Sequence, residues 1–184
     1  EIDFISRRAE EMTIFQRFGR EGKLEKRITH NDTKINNVLM DSDDCSAVCV
    51  IDLDTVMPGY ILFDFGDSIR TATNTGAEDD LDLTKVGCDL ELFEGYTNGY
   101  LASAGAFLSE VELSLLTVSA RVMTFIIGLR FLTDFIDGDK YFKVHRPGHN
   151  LDRARAQFKL LSSMEEKADE MEKIVKLARE RQNG

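Results

Sequence analysis

The sequence predicts an α+β fold, predominantly helical, with one short hairpin over residues 38–51 as its main sheet. Three observations carry that expectation. The runs Val38-Leu39-Met40 and Ala47-Val48-Cys49-Val50-Ile51 are β-prone, and the polar stretch DSDDCS separates them. From Asp89 onward, apolar residues recur mostly at steps of three and four. With 184 residues, 42% of them hydrophobic and 30% charged, the chain can form one domain with a full core and hardly two. Residues 1–184 are therefore expected to form a single domain.

Taken in order, residues 2–20 set Ile2, Ile5, Ala9, Met12, Phe15 and Phe18 at helical spacing, which predicts a helix with one buried face that ends at Gly22. The chain starts inside that pattern with no methionine and no cap, as a segment of a longer protein would. After the hairpin, Pro58-Gly59 is expected to break the chain, and FDFGDSIRTAT to open a helix near Asp64. Residues 74–84, NTGAEDDLDLT, read as a solvated acidic loop, because they lack the order of ligands in a calcium loop. LELFEGYTNGYLASA reads as a helix, and Ser109 as the cap of the next segment. LSLLTVSARVMTFIIGLRFLTDFI is apolar on most sides and so central, and Gly138 ends it. DGDKYFKVHRPGHN is a loop, and residues 151–181 read as one long amphipathic helix packed along its own domain.

A net charge of −10 argues against non-specific nucleic-acid binding, which needs Lys and Arg to displace phosphate counterions. No uninterrupted apolar run approaches the roughly 18–20 residues that span a bilayer, and EIDFISRRAEEM lacks a signal-peptide pattern. The three cysteines, Cys45, Cys49 and Cys88, suit free thiols, buried or half-exposed on strands, in a reducing cytoplasm. The expectation is a cytoplasmic protein with no membrane and no nucleic-acid partner.

The chemistry is concentrated in THNDTKINNVLMDSDDCSAVCVIDLD, residues 29–54. His30-Asn31-Asp32, followed after four residues by Asn37, has the spacing of a kinase catalytic loop. In that arrangement Asp32 takes the proton of an attacking hydroxyl, Asn37 offers an amide oxygen to magnesium, and His30 supports the loop backbone. A second metal carboxylate belongs at the end of the next strand, where Asp52 stands. Asp54, two residues on, would share its side if the chain stayed extended. The competing reading makes Asp32 and Asn37 turn residues and Asp52 a loop cap. Asp64-Phe65-Gly66 spells the D-F-G of protein kinases, but it lies too far from Asn37 and does not leave a strand. Asp64 and Asp67 are expected instead at the start of the next helix, bracing the catalytic loop by hydrogen bonds.

Together HNDTKINN, IDLD and FDFGD resemble the motifs of the aminoglycoside phosphotransferase and choline kinase superfamily, which shares the protein-kinase-like fold. HNDTKINNVLMD, VCVIDLDTVMPG and LRFLTDFIDGDKYFKVHRPGHN are closest to its N-acetylhexosamine 1-kinase branch. The resemblance implies an ATP- and Mg2+-dependent kinase that phosphorylates the anomeric hydroxyl of N-acetylglucosamine or N-acetylgalactosamine. It implies Asp32 as base, with Asn37, Asp52 and less surely Asp54 on the metal. Lys34, Arg130 and Tyr141 would contact the acceptor or the transferring phosphate. A plain surface charge at Lys34, an ion pair of Arg130 with Asp134 and loop packing of Tyr141 are the alternatives. Other acceptors remain open: choline, a methylthio-sugar, homoserine or an aminoglycoside. So does a non-catalytic binding module. Nothing in the chain resembles an N-terminal nucleotide lobe, with its glycine-rich strands and strand lysine. The expectation is a C-terminal lobe that neither binds ATP tightly nor turns over alone, with a surface through which it could dimerise.

Overall fold

The chain's structure, a computed structural model, describes residues 1–182. Helices dominate: α1 (Ile2–Ser6), α2 (Ile14–Arg20), α3 (Ile61–Ala72), α4 (Leu90–Ala104), α5 (Glu110–Ser114), α6 (Leu116–Ile136), α7 (His149–Glu166) and α8 (Ala168–Gln182). The expected hairpin forms from β2 (Val38–Met40) and β3 (Ala47–Val50), antiparallel, with Val38 opposite Val50 and a bulge between Leu39 and Met40. Both of its faces are largely open: Val48 and Val50 are 61% and 53% exposed. Cys45 and Cys49 are free and exposed, and only Cys88 is buried.

A second two-stranded sheet, not expected from the sequence, pairs β1 (Arg27–Thr29) with β4 (Met57–Gly59). Pro58 and Gly59 therefore do not simply break the chain. Proline suits this edge because the short strand needs few ladder donors. Gly59 is required where it is, since a Cβ there would collide with the Thr29 hydroxyl and sit 2.8 Å from the Asn31 side chain. This sheet fixes both ends of the segment that contains the catalytic-loop motif and the hairpin.

Helix α6 is the centre. It packs against α3 on one side and α7 on another, and Leu116, Ala120 and Val122 are fully buried. It has the length and mean hydropathy (1.4) of a membrane span, but its charged Arg121, Arg130 and Asp134 and its packed flanks fit a core helix. α3 comes close because Gly66 has no side chain: a Cβ there would strike the Ser119 carbonyl of α6. The third position of the D-F-G lookalike is thus a packing contact. Phe65, Leu62 and Ile69 of α3 fill the core beside it.

Two helical segments are broken where the periodicity predicted continuity. Residues 7–10 turn between α1 and α2; Ile2 is 69% exposed, while Arg8 forms a bidentate pair with Glu165 at 2.7–2.8 Å. The C-terminal helix breaks at Lys167, whose Nζ donates to the Cys88 carbonyl at 2.6 Å. α7 lies on α6 and α8 on α4, and one straight helix could not follow both partners. Each half keeps its own apolar face, which is why the pattern runs through the break. The expected cap at Ser109 forms a capping box with Glu112, and Asp89 caps α4 as well, accepting from the amides of Glu91 and Leu92.

Gly66→Ala should destabilise the fold by about 1–3 kcal/mol, because the extra methyl meets backbone that cannot swing away. Gly95→Ala, on an open face of α4 with nothing within 4 Å, should stabilise it by about 0.5–1 kcal/mol. Urea unfolding of both variants checks the pair.

Candidate active site

The segment after β1 turns at Asn31, whose backbone is left-handed at φ 63°, and then runs across the N-terminal half of α3. The Asp64 carboxylate, in the first turn of α3, accepts the backbone N–H of His30 on one oxygen and that of Asn31 on the other, both at 2.8 Å. Burial pushes the Asp64 carboxyl up, against the pull of those two amides. Further along, the Ser68 hydroxyl donates to the Thr33 carbonyl at 3.0 Å, and the Ile35 amide donates to the Thr71 hydroxyl at 3.1 Å. Asp67 is not part of this clasp. It lies inside the helix in a buried pair with Arg70 at 2.8 Å, so the expectation that it braces the loop is corrected. Ser68 and Thr71 do that instead.

His30 joins the loop to the hairpin. Its Nδ1 accepts from the Asp32 amide at 3.3 Å and its Nε2 lies 2.9 Å from the Ile51 carbonyl, which assigns the ring proton to Nε2. Thr55 donates to the His30 carbonyl at 2.6 Å, and the Asn31 side chain donates to the Thr55 carbonyl at 3.0 Å. The residue that follows Ile51 is Asp52. Its backbone is left-handed at φ 66°, an uncommon conformation for a residue other than glycine. Leu53–Thr55 then form a single 3-10 turn. The chain does not stay extended past Asp52, so Asp54 leaves the side that strict alternation would give it. The expectation that places it beside Asp52 is corrected on that ground.

Asp32, Lys34, Asn37 and Asp52 converge. Lys34 Nζ is 2.8 Å from Asp32 Oδ2 and 3.9 Å from Asp52 Oδ2, so one ammonium stands between two carboxylates. The buried Asn37 amide donates to both Asp32 Oδ2 (2.9 Å) and the Asp32 carbonyl (2.8 Å). Its own Oδ1 enters no hydrogen bond among the described residues. Burial alone would raise the Asp32 carboxyl, but the hydrogen bonds from Lys34 and Asn37, with the Lys34 charge, hold it below the ordinary carboxylate value. The same pairing raises Lys34.

No group of three or more His, Cys, Asp or Glu side chains among the described residues is arranged to hold a metal. The Asn37 amide oxygen and the Asp52 carboxylate are nonetheless hard oxygen donors. They suit magnesium, which keeps several waters and takes further oxygens from phosphate.

Arg130 and Tyr141 meet elsewhere. With Leu129, Thr133 and Phe142 they line a groove of about 480 Å3, which no residue of the hairpin or its preceding loop lines. Arg130 stacks over Tyr141 and Phe142, at 5.5 and 5.3 Å to the ring centres. The alternative ion pair with Asp134 does not form, because Asp134 accepts the amides of Lys140, Tyr141 and Phe142 at 2.8–2.9 Å. Sequence reasoning missed three supports of the site: Thr55, the Ser68–Thr71 pair, and the Arg27–Glu112 bridge at 3.1 Å that anchors β1 to α5. Hydroxyl and amide spacing along the chain carries no sign of partners 20–85 positions away.

Lys34→Met should raise the Asp32 carboxyl toward its ordinary value, read by 13C-carboxylate NMR titration. A depressed carboxyl stabilises the fold above its unfolded value, about 3.9, and that stability is lost as pH falls through the lower folded value. The variant should therefore lose stability relative to the parent near neutral pH, with the gap closing below about pH 4.

Among families of known proteins, residues 3–105 match the phosphotransferase enzyme family APH. The matched span contains β1, the loop of Asp32 and Asn37, the hairpin, Asp52 and the whole of α3. With more than half of its length covered, the chain belongs to the phosphotransferase enzyme family.

Proposed function

We propose that this chain is the catalytic and acceptor-binding lobe of an ATP- and magnesium-dependent kinase that phosphorylates the anomeric hydroxyl of an N-acetylhexosamine. The observation that carries the phosphotransfer is the convergence of Asp32, Lys34 and Asp52 around one ammonium, with the Asn37 oxygen left unengaged beside them. The choice of sugar rests on the likeness of the HNDTK, IDLDTVMPG and LRFLTDF stretches to the N-acetylhexosamine 1-kinase branch.

In this reading Asp32 orients the acceptor hydroxyl and takes its proton while the acceptor oxygen bonds to the γ-phosphorus and ADP leaves. A loose transition state asks for little proton transfer before the bond to ADP breaks, so a carboxyl held low can still serve. Lys34 would turn from Asp32 toward the transferring phosphate. Asn37 and Asp52 would hold magnesium, which when bound neutralises charge on the phosphate oxygens. The resemblance implies acceptor contacts at Arg130 and Tyr141, yet the groove they line shares no residue with the loop of Asp32, which leaves the seat of the acceptor to be sought nearer that loop. The open apolar residues of β2 and β3 would pack beneath a nucleotide-binding lobe.

The test is coupled ADP release by the full-length protein with N-acetylglucosamine, N-acetylgalactosamine, choline and kanamycin as separate acceptors. Sugar-dependent release is expected, and its absence with both sugars would sink the assignment. Asp32→Asn should lower kcat about 10²–10⁴-fold with little change in the KM for ATP. Asp52→Ala should abolish Mn2+ binding followed by water-proton relaxation, whereas Asp64→Ala should keep that binding and lower the Tm. The opposite pattern would return the metal role to Asp64.

A further inference from the structure

A polar pocket of about 450 Å3 opens beside Lys34, walled by Asn36 from the loop, Arg70 from α3, Asn74 and Glu78 from the acidic loop, and Gln157 from α7. Lys34 belongs both to this wall and to Asp32, 2.8 Å away, so the pocket and the proposed base share a side chain. The groove of Arg130 and Tyr141 has no such link.

The wall is pre-organised and only partly satisfied. Arg70 is 6% exposed, and its Nε and Nη2 grip Asp67 at 2.8–2.9 Å. Both nitrogens meet the one Asp67 Oδ1, and this two-point contact on a buried oxygen limits the swing of the guanidinium. Its remaining edge is loosely held: Nη1 reaches Glu78 and Gln157 only at 3.3 Å, long for a charge-assisted bond. The other Glu78 oxygen has Arg153 Nε at 3.9 Å, beyond hydrogen-bonding reach, so the half-exposed carboxylate is free to take a ligand's donor. Gln157, 1% exposed, gives its oxygen to Arg70 and leaves its NH2 without a hydrogen bond among the described residues. A carboxylate, a guanidinium edge and several amides thus face one space, a mixture that matches hydroxyls, each of which donates and accepts. No aromatic ring lines the pocket, so the cage of ring faces that suits a quaternary ammonium is missing.

We propose that this pocket seats the hydroxyls of a neutral, polyhydroxylated acceptor and that Glu78 and Asn36 set its specificity. The proposal rests on the phosphotransferase reading and adds a wall that the family motifs do not contain. With N-acetylglucosamine as probe, Glu78→Gln and Asn36→Leu should each raise the acceptor KM at least tenfold. The KM for ATP should stay within twofold, and kcat should fall less than fivefold. Melting curves check folding; should Glu78→Gln lower the Tm, Asn36→Leu, at an exposed position, carries the test. If the sugar is phosphorylated and neither variant moves its KM, the proposal fails while the phosphotransferase reading stands. It also fails if only Tyr141→Ala raises that KM, which would put the acceptor in the Arg130 groove. If no acceptor supports ADP release, the phosphotransferase reading fails, and saturation-transfer NMR with the same sugar decides the pocket. A signal lost in Glu78→Gln keeps the pocket proposal. No signal from the parent protein, or one that persists in the variant, overturns it.

Discussion

The two amide hydrogen bonds from His30 and Asn31 to the Asp64 carboxylate are the constraint on which the site depends. Consecutive backbone N–H groups rarely find one acceptor that can serve both, and a carboxylate with an oxygen for each does so. The carboxylate in turn is fixed by its place in the first turn of α3, a helix pressed against α6 at Gly66. Core packing is thereby transmitted to the loop: the position of Asp32 is set by the fit of one helix on another. The energetic risk is concentrated there, since a buried carboxylate deprived of its donors is costly.

From that clasp the His30 imidazole reaches across to the end of the hairpin. His30 spans the Asp32 amide and the Ile51 carbonyl, and with the Ile51 amide on the Asn37 carbonyl at 2.9 Å it holds Asp32 and Asp52 in register. The short strands of both sheets could not supply such precision alone, because three or four residues of ladder are easily shifted. Thr55 and Asn31 add bonds of their own between the same two segments. Lys34 then neutralises what the geometry has gathered. Two carboxylates brought toward each other repel, and an ammonium between them relieves the strain until a cation or a phosphate changes the balance.

A chain of polar contacts continues outward from α3. Asp67 pairs with Arg70, Arg70 meets Glu78, Glu78 meets Arg153, and Arg153 contacts Asn150, which donates to Asp134. Asp134 holds the amides of residues 140–142, where Tyr141 stands. The acidic loop is open to solvent as expected, yet Glu78 and Asp79 both engage cationic or imidazole partners, Asp79 accepting from His149 at 2.9 Å. These contacts run from the buried Asp67–Arg70 pair, through the half-exposed Glu78, to the buried Asp134 that holds the loop of Tyr141.

By itself the sequence determined a predominantly helical chain, the hairpin with its polar turn, the cap at Ser109, and the H-x-D-x4-N spacing that resembles a kinase catalytic loop. These are local signals: spacing, alternation and side-chain type within a few positions. The same local view made one helix of residues 2–20 and another of 151–181, because each half of each segment is amphipathic and periodicity does not register a change of partner. It saw Pro58-Gly59 as a break, because the partner strand lies about thirty residues earlier. It aligned Asp54 with Asp52 by assuming extended backbone, where the left-handed turn at Asp52 redirects the chain. Only the tertiary structure decided which aspartate braces the loop and which pairs within its helix. It also placed Lys34 between two carboxylates and set Glu78 beside Arg70. Each of those outcomes depends on distances between residues far apart in the chain, which packing fixes and local pattern does not encode.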